Sequence, residues 1–157
     1  LEGWVGLSHA QQAQSLQSGW PRYWLQQQGL QGDLLQQALQ RVMQCLQNAH
    51  TNSNMQTALS SHEVHAAEWS LSSVDENGQM AQHVIDRTWV DSQGVRWILD
   101  YKTSYFKGSN LKEFVQQQSE QYRPQLQRYK ALMHAMENRR VKSVLYFAAV
   151  DQWVELD

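Results

Sequence analysis

The residues of this 157-residue chain best placed to do chemistry are two aspartates, each at the polar end of an apolar run. Asp86 stands in Val84-Ile85-Asp86-Arg87, and Asp100 in Trp97-Ile98-Leu99-Asp100-Tyr101-Lys102-Thr103. A solvated surface strand has no reason to put a carboxylate there. In a strand, residues i and i+2 project from one face, so Asp100 and Lys102 point together, roughly 6–7 Å apart along the strand. A carboxylate can hold a hard divalent cation, and a neighbouring ammonium can orient a water or stabilise a developing phosphorane. Metal-dependent phosphodiester cleavage is the chemistry that fits. Asp-x-Lys alone is a weak signal, since an ion pair at a strand end usually does little. Two aspartates set opposite each other by a hairpin are a stronger one, because like charges at close range repel unless a cation or proton intervenes.

The elements that must position these residues are legible from hydrophobic period and turn residues. Glu63 to Ser72 alternates, with His65, Ala67, Trp69 and Leu71 on one side and Val64, Ala66, Glu68 and Ser70 on the other. Asp75-Glu76-Asn77-Gly78 is a turn, Met80 to Val90 a second strand, Ser92-Gln93-Gly94 a second turn, and Val95 to Tyr101 a third strand. A turn centred on Gln93 puts Asp86 directly across from Asp100, both on the face of Ile98 and Lys102. A slip of one residue would send Asp86 to the opposite face.

Helical spacing runs from Ser8 to Leu30, broken near Gly19-Trp20-Pro21. Gly32-Asp33 then ends one helix and starts the next, with Asp33 as N-cap. Leu34, Leu35, Ala38, Leu39, Val42, Cys45, Leu46 and Ala49 form that helix's apolar stripe, and His50 to Asn54 reads as the loop after it. A further helix opens at Leu111, with a kink or a new first turn predicted at Pro124. Val141 to Val150 is apolar and β-branched enough to be a buried strand. The fold class predicted is α/β: an antiparallel three-strand meander plus a strand added in parallel through a right-handed helical crossover, with helices packed on the mixed sheet.

Length suits one ordinary domain, with residues 1–32 as an N-terminal helical extension and 33–157 as the core. Cys45 is the single cysteine, so there is no disulfide framework, and a reducing cytoplasm is the expected location. No apolar run approaches the roughly 20 residues of a membrane helix, so no membrane partner is expected. The net charge of −2 selects no partner class. Glutamine, 24 residues, fills exposed helix positions such as Gln26-Gln27-Gln28 and Gln116-Gln117-Gln118, and apolar periodicity continues through it. The opening Leu1-Glu2-Gly3-Trp4 lacks an initiator methionine, which suggests a C-terminal piece of a longer polypeptide.

On the last helix Gln125 and Tyr129, four apart, share a face, where an amide and a phenol could reach a nucleotide or brace the strand lysine. With this pair the ordered set is complete: Glu68 on a first strand, Ile85-Asp86-Arg87 on a second, Asp100-Tyr101-Lys102-Thr103 on a third, then Tyr122-x-x-Gln125-Leu126-x-x-Tyr129. It resembles the nuclease domain of the RecB and AddA helicase-nucleases, a branch of the PD-(D/E)XK superfamily, from about Leu25 to the C-terminus. The resemblance implies a restriction-endonuclease-like core. It also implies Mg²⁺ (or Mn²⁺) held by Asp86, Asp100 and the carbonyl of Tyr101, with Lys102 acting on the attacking water. Glu68 matches a frequent acidic position, and Gln125 and Tyr129 would support the site or contact DNA. The implied partners are DNA, an upstream helicase domain of the same chain and a second helicase-nuclease subunit, in double-strand break repair. The family also carries a metal-binding histidine in a Gly-x-x-x-His-like motif. Gly6-Leu7-Ser8-His9 matches that motif poorly, so the expected ligand lies before Leu1, and His50, His62, His65, His83 and His134 read as ordinary histidines. The alternatives are a domain of this fold that grips DNA without cutting it, or one that docks a helicase subunit through tryptophans such as Trp20, Trp24, Trp69, Trp89 and Trp97.

Overall fold

The computed structural model describes residues 1–74 and 78–156. Strands β1 (His65–Val74), β2 (Met80–Val90) and β3 (Arg96–Lys102) pair antiparallel. The chain then crosses through helix α5 (Leu111–Met136) and returns as β4 (Val141–Phe147), parallel to β3. A fifth strand, β5 (Gln152–Leu156), pairs antiparallel with β4, so the sheet order is β1-β2-β3-β4-β5. Ahead of the sheet stand α1 (His9–Gln17), α2 (Trp20–Gln27), α3 (Gly32–Thr51) and α4 (Ser53–Leu59). The result is an α/β fold with a five-strand mixed sheet flanked by helices.

Alternation along β3 and β4 builds two cores. Leu99, Val144 and Tyr146 face α3 and α4, packing with Leu46, Ala49, Met55, Leu59 and Trp4. Ile98, Leu145 and Phe147 face α5, against Leu126, Tyr129 and Met133. Because β4 is covered on both sides, its sequence is a continuous apolar run and not an alternating one. Trp4 is buried in the α3/α4 core, so the N-terminal segment packs with the rest of the fold.

Three expectations need correction, and of the two offered for Pro124 the new first turn is excluded. Asp33 lies in the first turn of α3, where its charge favours the positive helix end, and Gln31 is the N-cap. The expected loop over His50–Asn54 is the end of α3 and the start of α4, which Asn52 caps by accepting the Met55 N–H at 3.0 Å. Helix α5 neither ends nor restarts at Pro124. That residue is exposed, so water can take the freed carbonyl one turn back, while Leu126, Tyr129 and Met133 hold the following turns on the sheet. The run Val141–Val150 stops as a strand at Phe147 and turns through Asp151, which adopts φ +52°, into the unforeseen β5. The turn expected at 75–78 lies largely outside the described residues. No helix among the described residues is long and apolar enough to cross a membrane.

Candidate active site

The β2–β3 turn centres on Gln93. Asp91 organises it, its carboxylate accepting the Gln93 and Val95 N–H groups at 2.9 and 3.0 Å and the Trp97 indole N–H at 2.7 Å. The register that follows, Trp89 with Trp97 and Arg87 with Leu99, sets Asp86 opposite Asp100. Regular pairing stops one step short of them. In place of a ladder bond, the Asp86 carboxylate accepts the backbone N–H of Tyr101 at 2.8 Å.

The reason is a break in alternation that the sequence pattern does not announce. Glu68 takes a left-handed backbone (φ +47°), a conformation costing a non-glycine residue on the order of 1–3 kcal/mol, and its pairing with Asp86 is missing from an otherwise continuous β1–β2 register. On one side of the break Arg87 points toward α4, and its partner strand offers His65 on the same face. On the other side Ile85, Trp69 and Leu71 all pack toward α5. His65 and Trp69 therefore do not share a face, contrary to the simple alternation expected for β1.

Buried Arg87 ties the break to α4. Its guanidinium donates to the carbonyls of Ala58 (2.9 Å), Ser60 (3.1 Å) and Ala66 (3.2 Å) and to the ring nitrogen of His65 (2.9 Å). None of these acceptors is a carboxylate, so the guanidinium is held by lone pairs and not by a counter-ion.

Asp100 is buried at the end of β3. Its Oδ1 accepts from the Gln125 side-chain amide at 3.4 Å. That amide also donates to the Tyr129 hydroxyl at 2.8 Å, and the hydroxyl donates to the Val84 carbonyl at 3.1 Å. A relay thus runs from β2 through α5 to the carboxylate on β3. The other oxygen, Oδ2, takes no hydrogen bond and is ion-paired with the Lys102 ammonium. Tyr122, on α5, backs that ammonium with its ring face at 3.7 Å. The lysine is thus braced by Tyr122, while Gln125 and Tyr129 brace the aspartate. Tyr129 is 5% exposed, which suits it to a supporting role.

Burial pushes the Asp86 carboxyl above its ordinary range. The Tyr101 N–H opposes the shift, the Asp100 charge adds to it, and Lys102 and Glu68 act with smaller and opposite signs. Glu2, which sequence reasoning missed, belongs to the same acidic neighbourhood. It shares a hydrogen bond with Glu68, and its carboxyl is raised by burial and then by the Glu68 charge. The Tyr101 phenol is buried without a hydrogen-bond partner among the described residues, and burial likewise pushes its pKa up, keeping it neutral.

Among the described residues, no three His, Cys, Asp or Glu side chains form a group able to hold a metal ion. The histidines are engaged elsewhere: His9 stacks on His50 at 3.8 Å, His62 bonds around the end of α4, and His83 contacts Ser73 and Tyr129. Two carboxylates, of which only Asp100 has a cationic partner in Lys102, plus a main-chain carbonyl, remain a suitable oxygen donor set for Mg²⁺, which keeps several waters and needs only one or two protein carboxylates. No protein-family model matches the sequence, and no curated protein matches it at significant similarity.

Proposed function

We infer that this chain is a Mg²⁺-dependent DNA nuclease module with a restriction-endonuclease-like core. The observation that carries the reading is the meeting of Asp86, Asp100 and Lys102 where the β2–β3 ladder ends. Asp86, Asp100 and the Tyr101 carbonyl would hold the ion, which would supply a bound water more acidic than bulk water and charge compensation at the scissile phosphate. Lys102, ion-paired with Asp100, would be the group to orient the attacking water or to offset charge on the phosphorane oxygens. Gln125, itself bonded to Tyr129, keeps the Asp100 carboxylate aimed. Glu68 lies at the edge of the site with Glu2, where it adds negative charge that favours a cation.

The biological setting proposed is a nuclease segment of a helicase-nuclease acting on broken DNA, with an upstream helicase domain and a second subunit as partners. The competing reading, a domain that holds DNA or docks a helicase subunit without cutting, draws on the Lys102–Asp100 pair, which already compensates one of the two carboxylates. End-labelled linear DNA incubated with the protein separates the two. Cleavage that requires Mg²⁺ or Mn²⁺ and disappears in Asp86→Ala and Asp100→Ala supports the nuclease. Absence of both cleavage and calorimetric Mg²⁺ binding refutes it.

A further inference from the structure

Beside the end of β3 lies a groove that the phosphodiester chemistry does not use. It runs between α2, α3 and the segment after Lys102, with a cavity of about 550 Å³ walled by Trp20, Trp24, Val42, Thr103, Tyr105 and Ala148. A second cavity of about 270 Å³ continues it past Arg41, Gln44 and Tyr105, which both share, to Gln37, Gln40 and Lys107. The aromatic rings are presented to solvent: Trp20 is 40% exposed, Trp24 51% and Tyr105 54%. Isolated surface tryptophans need no explanation, but an aromatic groove of this size does.

Two of the three rings, Trp20 and Tyr105, are held in place. The Trp20 indole N–H donates to Ser15 Oγ at 2.9 Å, a hydroxyl also gripped by the indole of Trp4 at 3.1 Å. The Arg41 guanidinium stacks over Tyr105 at 5.0 Å. The charge is one-sided: Arg41 and Lys107 line the groove, and none of its lining side chains is a carboxylate, in a chain whose net charge is −2. Side-chain amides supply the remaining polarity. Fixed aromatic faces, cations and amides are the combination that takes unpaired nucleotides, the bases stacking and the phosphates tracking the positive charge. A protein segment would leave these cations without acidic partners unless it brought its own, and duplex DNA offers no free base faces.

The groove also leads to the site. Thr103 directly follows Lys102, and Ala148, another wall residue, donates its N–H to the Lys102 carbonyl at 2.8 Å. We propose that the Trp20–Trp24–Tyr105–Arg41 groove is a stacking platform for unpaired DNA, which it feeds toward Asp86 and Asp100. The proposal rests on the nuclease reading for the identity of the strand.

The test is fluorescence anisotropy of a labelled dT12 oligonucleotide in EDTA, beside a hairpin duplex of matched length. The wild-type protein binds dT12 more tightly than the duplex. Trp20→Ala and Trp24→Ala each weaken dT12 binding roughly 5- to 100-fold, Trp24→Phe restores most of it, and Arg41→Gln flattens the salt dependence by about 0.7 in the log–log slope. Circular dichroism shows each variant folded, as expected for exposed positions. The proposal is overturned if folded Trp20→Ala and Trp24→Ala bind dT12 as the wild type does, the result expected of a protein-docking face, or if duplex binds as well as single strand. Mg²⁺-dependent cleavage of the same oligonucleotide, with Asp100→Ala as its blank, reports separately on the nuclease reading. Tryptophan-dependent binding with neither cleavage nor calorimetric Mg²⁺ binding removes the nuclease and keeps the groove, and cleavage indifferent to the tryptophans does the reverse.

Discussion

The two site aspartates should respond in opposite directions when each is replaced by asparagine in the absence of metal. Asp100 is compensated, because Lys102 and Gln125 contact its two oxygens, and the side chains of the Asp100–Lys102 pair are 5% and 14% exposed. Asp100→Asn leaves the ammonium nearly buried against Tyr122 with no counter-charge. Breaking a buried pair by removing one partner costs about 3–5 kcal/mol. The Tyr122 ring, and the freedom of a long side chain to reach water, should lower this to about 2–3 kcal/mol. At about 2–4 °C per kcal/mol for a chain of this length, the melting temperature falls by roughly 4–12 °C. Asp86 is the reverse case. Its carboxyl is raised by burial and by the Asp100 charge, so the folded protein binds more protons than the unfolded one between the ordinary value of 3.8 and the raised one, and stability declines as pH rises through that window. Above the window the ionised carboxylate is a constant penalty. Asp86→Asn removes it while keeping an oxygen to accept the Tyr101 N–H, so the variant melts higher than wild type at pH 7.5, by a margin that shrinks as the pH is lowered toward 3.8. Thermal unfolding in EDTA across this range is the assay. Saturating Mg²⁺ should then raise the wild-type melting temperature and leave both variants nearly unmoved. Asp100→Asn melting at or above wild type, or Asp86→Asn melting below it throughout, would show that the charge balance described here is wrong.

Lys102→Met should cut Mg²⁺-dependent cleavage by about 10²–10³ while calorimetric Mg²⁺ affinity holds or rises, since the competing ammonium is gone. Gln125→Ala and Tyr129→Phe should be coupled. In a double-mutant cycle read by chemical denaturation, the interaction energy should fall at about 0.5–3 kcal/mol, and a cycle that closes to zero would mean the relay to Asp100 contributes nothing. Asn52→Ala removes the α4 cap and should cost about 1 kcal/mol, seen as a melting temperature lower by about 2–4 °C with cleavage unchanged.

The parts of the fold that sequence reasoning reached are those with strong period or punctuation. The register of β2 and β3 followed from Ser92-Gln93-Gly94, and β4 from an apolar run that only double-sided burial explains. Helix α4 was missed because seven residues carry barely two turns of pattern, and its asparagines read as turn formers although Asn52 is a cap. Strand β5 was missed because its signal, Gln152-Trp153-Val154-Glu155-Leu156, is five residues behind an aspartate in a left-handed turn. Within the site, the Lys102 spacing from Asp100 is a local fact and was readable, whereas the shared face expected of Asp86 and Asp100 was not, because regular pairing stops at Arg87 and Leu99 and the Asp86 carboxylate turns to the Tyr101 N–H. Glu2 was not, because it reaches Glu68 across 66 positions of chain, and nothing in its own surroundings marks it.

The break at Glu68 and Asp86 links fold to site more closely than any single side chain. A regular strand would have sent Asp86 to one face and left the β2–β3 ladder closed up to Asp100, with both carboxylates competing for the same space as Ile98. By inverting alternation at one step, the sheet keeps Arg87 locked into α4 on one side and Ile85 packed against α5 on the other, both fully buried. Between two anchored residues, Asp86 has no packing role and its carboxylate is free to occupy the gap between strands, where it replaces a ladder bond and meets Asp100 at the sheet's open end. The strain at Glu68 is therefore borne by a framework that fixes it from both faces, the condition under which such strain persists at working sites. Relaxing it with Glu68→Gly should stabilise the backbone locally and yet loosen Asp86. The readout is a gain in thermal stability accompanied by weaker Mg²⁺ binding, and a variant that gained both would break the connection between the irregular strand and the site.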